Sequence, residues 1–278
     1  VPEQTRGCCG MTITVVDAFA DRPFSGNPAA VCILDTPAPD AWMRGLASEM
    51  NLSETAFLTP GPDGAFGLRW LTPEVEVDLC GHATLASANV LFESGRLAPD
   101  AEARFDTRSG RLTVRRIGQD TYRMDFPATP PTVAPAPDGF EEVFGTTPVW
   151  TGRTPFDVFA VLADEMAVRT LAPDPAAVAR LGARGVILTA PADASTEANV
   201  VSRFFAPGSG VPEDPVTGSA HCAIGPYWAE RLGQSELACY QASRRGGMVG
   251  VEVLGDRVAL TGRALTVYRA ELAPAARP

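Results

Sequence analysis

The stretch DLCGHATLASANVLFESGRL (78–97) decides the fold, and DPVTGSAHCAIGPYWAERLG (214–233) echoes it. Between residues 82 and 93 the side chains are small or apolar on every side: Ala83, Ala86 and Ala88 are interleaved with Leu85, Val90, Leu91 and Phe92. A helix that is apolar all round has no face for water and belongs inside something. Placing Gly81 over Gly218 puts an aspartate upstream in both stretches (Asp78, Asp214) and a glutamate twelve residues downstream in both (Glu93, Glu230). Further on, TRSGRLTV (107–114) resembles SRRGGMVGVEV (243–253). Matching blocks in matching order indicate an internal duplication.

Outward from the first buried helix, strand-like runs fall at 13–19, 29–34, 55–58, 66–71, 112–116 and 122–126. Around the second, spanning about 219–231, they fall at 156–162, 185–189, 200–205, 249–254, 257–261 and 265–269. Alternating and β-branched apolar residues carry these readings. Residues 39–50 have helical spacing, with Trp42, Leu46 and Met50 on one face, and 174–181 reads as another helix. PATPPTVAPAP (127–137), with five prolines in eleven positions, is the linker candidate. The predicted organisation is an N-terminal lobe over 11–126 and a C-terminal lobe over 138–278, the last strand being a candidate to cross back. Two lobes, each a curved sheet around a buried helix, would meet in a cleft, a preferred place for a ligand.

Composition narrows the chemistry. The chain has 278 residues, 45% of them hydrophobic and 20% charged, enough for a sizeable core. No apolar run approaches the ~20 residues of a membrane span, so no membrane partner is expected. The formal net charge of −10 argues against nucleic acid as a partner. All 23 basic residues are arginine, which excludes Schiff-base chemistry on lysine. Two histidines, His82 and His221, exclude a multi-histidine metal centre, and no metal or cofactor is expected. Six cysteines without a C-x-x-C pair fit a reducing, cytoplasmic setting. VPEQTRGCCG (1–10) reads as a tag remnant or disordered leader.

Each buried helix opens on a glycine, in Cys80-Gly81-His82 and Thr217-Gly218-Ser219. A helix start carries unpaired N–H groups and partial positive charge, and glycine lets an anion approach them. Ordinary capping by Thr217 or Ser219 is the alternative. His82 lies at a buried helix start and His221 deeper in its helix; both are candidates for catalysis or for satisfied core positions. Asp214 sits before Pro215 in a glycine-rich loop and Glu54 at a strand mouth, each a possible acid or base or a solvated charge.

VDAFADRPFSGNPAAV (16–31), NLSETAFL (51–58), DLCGHATLASA (78–88) and EDPVTGSAHCAIGPYW (213–228) together resemble the PhzF-like family, relatives of the phenazine-biosynthesis isomerase. The four blocks stand in family order and cover most of the chain. The resemblance implies an α+β fold of the diaminopimelate-epimerase-like class: two pseudo-symmetric lobes, each a rolled, mostly antiparallel sheet around a central helix. It implies a cofactor-free isomerase, usually a homodimer, acting on a small carboxylic acid between the lobes. Residue by residue, it places the general acid/base on Glu54, with His82 and Asp214 sharing proton traffic. Ser219, Gly218 and Gly81 would hold a carboxylate, with Cys80 and Thr217 lining the cleft; Asn27, in the SGNP turn, either lines the cleft or only makes its turn. The expected reaction is a proton or double-bond shift on an amino- or hydroxy-carboxylic acid, in secondary metabolism. A racemase or epimerase using Cys80 and a non-catalytic binding protein on the same fold are the alternatives. Related racemases use two cysteines at the helix starts; here the second position is Thr217, whose hydroxyl is too weak an acid to replace a thiol.

Overall fold

The computed structural model describes residues 10–278. The leader reading therefore lies, Gly10 apart, outside the described residues, as do Cys8 and Cys9.

The first half contributes β1 (Thr12–Ala18), β2 (Asn27–Ile33), α1 (Asp40–Met50), β3 (Glu54–Pro60), β4 (Phe66–Leu71), β5 (Glu76–Val77), α2 (Gly81–Glu93), β6 (Glu102–Thr107), β7 (Gly110–Arg116) and β8 (Thr121–Pro127). The second contributes β9 (Thr132–Val133), α3 (Phe140–Phe144), β10 (Trp150–Arg153), β11 (Asp157–Val161), α4 (Glu165–Arg169), α5 (Pro175–Ala179), β12 (Gly185–Pro191), β13 (Val200–Phe205), α6 (Gly218–Leu232), β14 (Glu236–Gln241), β15 (Gly247–Leu254) and β16 (Arg257–Glu271). The expected α+β class holds.

The duplication is visible in the hydrogen bonding. Strands β1–β2 pair antiparallel, β2–β3 parallel, β3–β4 antiparallel, β4–β6 parallel, then β6–β7 and β7–β8 antiparallel. In the same sequence β10–β11 pair antiparallel, β11–β12 parallel, β12–β13 antiparallel, β13–β14 parallel, then β14–β15 and β15–β16 antiparallel. In both halves the second parallel crossover is the central helix, α2 or α6.

The last strand of each half runs on into the other. Residues 257–263 of β16 pair with β8, and 264–271 pair with β1, closing the first sheet around α2. A β-carbon on Gly262, at the changeover, would lie 2.2 Å from the Phe19 ring, so the crossing strand needs glycine there. In the equivalent exchange from the first half, the chain leaves β8 and forms β9 against β10. The proline-rich stretch 127–137 thus contains sheet and is tied down on both sides. Ala128 N–H donates to Asp256 O, and Thr129 N–H donates to Cys222 O. The second bond answers Pro226 inside α6: proline has no N–H for the carbonyl four residues back, and the crossing segment supplies one.

Residues 82–92 of α2 are all buried. Burying a side chain such as Leu85 or Leu91 contributes about 1.5–3 kcal/mol. The polar members of α2 are satisfied locally: Ser87 Oγ donates to Ala83 O at 2.7 Å, and Asn89 Oδ1 accepts from Tyr122 O–H at 2.9 Å. One core runs around α2 and α6 through both lobes. Helix α1 packs outside the first sheet through Met43, Leu46 and Ala47 against Phe57. Helices α3, α4 and α5 cover the second with Phe140, Val168 and Val178.

Candidate active site

The two central helices meet start to start. A β-carbon on Gly81 would be 3.5 Å from the Cα of Gly218, and the reverse distance is also 3.5 Å. Neither start is capped by the side chain that precedes it, Cys80 or Thr217; the capping alternative does not hold. Instead each preceding carbonyl is held by the side chain four residues on. Thr84 Oγ1 donates to Cys80 O at 2.6 Å, and His221 Nδ1–H donates to Thr217 O at 2.7 Å. His221 is thereby a core residue, and burial pulls it down to about 4, so it is neutral at ordinary pH.

Around this junction the structure gathers Glu54, His82, Cys80, Asn27, Asp214 and Thr217. Glu54 opens β3, beyond the left-handed Asn51 that ends α1. Its Oε2 lies 3.1 Å from His82 Nε2, a close ion-pair contact. On the other side of the ring, His82 Nδ1 is 3.5 Å from Cys80 Sγ and 3.1 Å from Asn27 Nδ2. Asn27 Nδ2 also reaches Asp214 Oδ1 at 2.6 Å and Val216 O at 3.0 Å. These two acceptors fix the carboxamide orientation, since a flipped amide would face them with oxygen. They also occupy its two hydrogens, so a proton on His82 Nδ1 is directed to Cys80. Thr217 Oγ1–H closes the chain on Asp214 Oδ2 at 2.6 Å.

Electrostatics follow from burial and these contacts. Burial pulls the His82 imidazole down, but Cys80 and the Glu54 carboxylate outweigh it and hold the group well above the ordinary histidine range. Burial pushes the Cys80 thiol up to about 11, with Glu54 adding to the rise. The group that supports the imidazolium charge is accordingly Glu54. Burial pushes Asp214 up to about 6; Glu54 raises it, while His82, Thr217 and Asn27 restrain it. Glu54 Oε2 and Asn27 Oδ1 are buried acceptors without a hydrogen-bond donor among the described residues. Orphaned buried acceptors are uncommon and call for an explanation.

Ser219, the second residue of α6, stands at the edge of this group, its Oγ 3.4 Å from Arg184 Nη2. Asp78, equated with Asp214 by the local alignment, is elsewhere: its side chain is 77% exposed and 3.8 Å from Arg108. Asp78 precedes its glycine by three residues and Asp214 by four, so the two are not at equivalent positions.

Three supporting residues escaped the sequence reading. Gln241 ends β14; its Oε1 accepts from Thr217 N–H at 2.8 Å and its Nε2 donates to Asp214 O at 2.7 Å. Arg203 pairs with Glu213, next to Asp214, at 2.6 Å. Arg245 donates to Gly26 O and to Asp17 at 2.8 and 2.6 Å, clasping the turn before Asn27 from the other lobe. A polar residue at an inward position of an alternating strand is the one available signal for Gln241.

Chemically, the site offers a carboxylate beside an imidazole, a second carboxyl near neutrality, and two uncapped helix starts that suit an anion. Glu54, Cys80 and His82 bring potential metal-ligand atoms within 4.8 Å of one another.

The family model described as phenazine biosynthesis-like protein (PhzC-PhzF) matches residues 16–270. An uncharacterized isomerase of Halalkalibacterium halodurans is 48% identical over 261 residues, covering 94% of this chain and 97% of its own. The crystal structure of a phenazine biosynthesis protein of the PhzF family from Enterococcus faecalis is 42% identical. It covers 95% of this chain and 99% of that one, with a TM-score of 0.89. A hydroxyproline epimerase from Agrobacterium vitis, 15% identical, shares the fold with a TM-score of 0.60 over 97% of this chain and 94% of that one. The epimerase-like class expected from sequence holds.

Proposed function

The chain belongs to the phenazine biosynthesis-like (PhzC-PhzF) family, and from that premise we propose that it is a cofactor-independent isomerase moving a proton on a small amino- or hydroxy-carboxylic acid. The observation that carries this reading is the Glu54 carboxylate 3.1 Å from the buried His82 imidazole, beside two uncapped helix starts.

The substrate carboxylate sits at Gly81 and at Gly218–Ser219, where backbone N–H groups and the Ser219 hydroxyl meet it. Glu54 takes a proton from a carbon made acidic by a conjugated carboxylate, imine or alkene. The C–H electron pair moves into the π system. The protonated Glu54 then returns the proton to another carbon of that system on the same face. One C–H bond breaks and one forms, so no oxidant or reductant is required. His82, charged beside Glu54, steadies the negative charge that develops. Asp214, poised near neutral pH, holds an amino or hydroxyl group and exchanges its proton.

The two-thiol racemase reading finds less support. Cys80 is a thiol at neutral pH, with burial first among the causes of its value near 11. Thr217 donates its hydroxyl hydrogen to Asp214 and has no acid of suitable strength to offer.

The test is proton exchange. Small amino- and hydroxy-carboxylic acids, saturated and conjugated, are incubated with the protein in deuterated buffer and followed by NMR. Deuterium entry that the wild type catalyses and Glu54→Gln does not supports the reading; entry at an unchanged rate in Glu54→Gln overturns it.

A further inference from the structure

We propose that Arg184 is a specificity residue holding a second carboxylate, so that the substrate class of this site is a dicarboxylic acid. The inference rests on the reading above that the helix starts hold the first carboxylate.

Arg184 stands directly before β12, at the rim of the junction. Its Nε and Nη2 donate to the two oxygens of Asp157 at 2.9 and 2.5 Å. The Asp157 side chain is only 3% exposed, so the fork is anchored from below and its plane is fixed. Rings of Phe156 and Phe204 lie 5.2 and 5.9 Å from the guanidinium carbon and restrict it further. The same Nη2 reaches Ser219 Oγ, on the first turn of α6, at 3.4 Å. Nη1 makes no hydrogen bond among the described residues, and the side chain is 41% exposed.

An open guanidinium edge is ordinary at a surface, as Arg111 on Asp106 and Arg257 on Asp125 show; what sets Arg184 apart is that its open edge faces the first turn of α6 through Ser219. Here the half facing Asp157 is satisfied, while the half beside Ser219 keeps both Nη1 hydrogens free. Ser219 therefore lies between two anion donors: the N–H groups of its own helix start and the open edge of Arg184. One carboxylate at the helix start leaves that edge vacant; a second on the same substrate would fill it. Lysine is absent from the chain, so a second anion in this cleft depends on arginine. Asp157 balances the charge of Arg184, which makes recognition a matter of directed donors more than long-range attraction.

The experiment uses matched ligand pairs, benzoate with isophthalate and butyrate with glutarate, titrated calorimetrically against the full chain at fixed ionic strength. Wild type, Arg184→Met, Arg184→Lys and Gly218→Val are compared. At least one diacid should bind the wild type about tenfold more tightly than its monoacid, the worth of a charge-assisted hydrogen bond. Arg184→Met should erase that gain while leaving the monoacid within about twofold. Arg184→Lys keeps the ion pair with buried Asp157, so it guards against a folding defect, and it should lose most of the gain with the planar edge. If monoacids bind in a Gly218→Val-sensitive way but neither diacid gains, or the gain survives in both Arg184 variants, the inference is overturned and the helix-start reading stands. If no carboxylate binds in a Gly218→Val-sensitive way, the helix-start reading fails and takes the inference with it.

Discussion

Gly81 and Gly218 touch through backbone alone: a β-carbon on either would stand 3.5 Å from the Cα of the other. Two helix starts with their partial positive charges together repel, and an anion beside them relieves that repulsion. The contact also makes each glycine a condition for the other. One methyl group finds ordinary van der Waals room; two, directed at each other, do not.

Single Gly81→Ala and Gly218→Ala variants should each change stability by less than about 1 kcal/mol. The double variant should be less stable than their sum by about 1–3 kcal/mol, the coupling of residues in direct contact. Urea denaturation of the four proteins measures it. Additive effects would show that the helix starts do not meet.

Glu54→Gln preserves shape and removes the titrating group. With a substrate in hand, turnover should fall by about 10²–10⁴ while the melting temperature stays within a few degrees. Turnover near the wild-type rate would remove Glu54 from the chemistry.

Cys80→Ser should keep most of the activity. The thiol is buried and pushed up to about 11 by that burial, and it has no partner thiol across the junction. Iodoacetamide should act slowly, since the thiolate is the reactive form. A fully folded serine variant without activity would make Cys80 a required base.

Much of this architecture is legible in one helix. Ala83, Ala86 and Ala88 among larger apolar residues leave α2 no solvent face, so it must be buried, and the strand-like runs on either side of it supply the sheet that covers it. The clustering of the site is less legible. Glu54, His82 and Asp214 are far apart in sequence, and nothing in the spacing of Ser53-Glu54-Thr55 distinguishes a cleft base from a loop charge; the four co-linear blocks single them out. Gln241 and Arg184 are harder still. Strand β14 carries Ala238 and Gln241 among its six residues, which dilutes the alternation. Its contact with Thr217 depends on a parallel crossover that local sequence does not encode. Strand β9 is two residues long inside a proline-rich stretch, where pairing is decided by β10 and not by propensity. Gly10 apart, the leader has no structural counterpart among the described residues.

Asp214 supplies a prediction with a defined sign. Burial, the largest cause, holds its carboxyl near 6 in the folded chain, against about 3.9 for an unfolded aspartate. The folded state thus binds this proton more tightly than the unfolded state. The stability the group contributes is present below about pH 4, declines as the pH rises toward 6, and is lost above. At neutral pH the charged carboxylate strains the fold, as acid–base groups tuned by desolvation do. Asp214→Asn removes the titration and keeps most of the volume; its Oδ1 can still accept from Asn27, and its Nδ2 can donate to Thr217 Oγ1 once that hydroxyl turns its own hydrogen away. The variant should be inactive yet at least as stable as the wild type at pH 8. Between pH 8 and pH 5 the wild type should gain about 1 kcal/mol on the variant, the integral of one proton over the window between those two values. Urea midpoints for both proteins at pH 5, 6, 7 and 8 give the difference directly. A gap that stays constant across that range would mean that Asp214 titrates no differently in the folded and unfolded chain, and its place as a proton carrier poised near neutrality would fall with it.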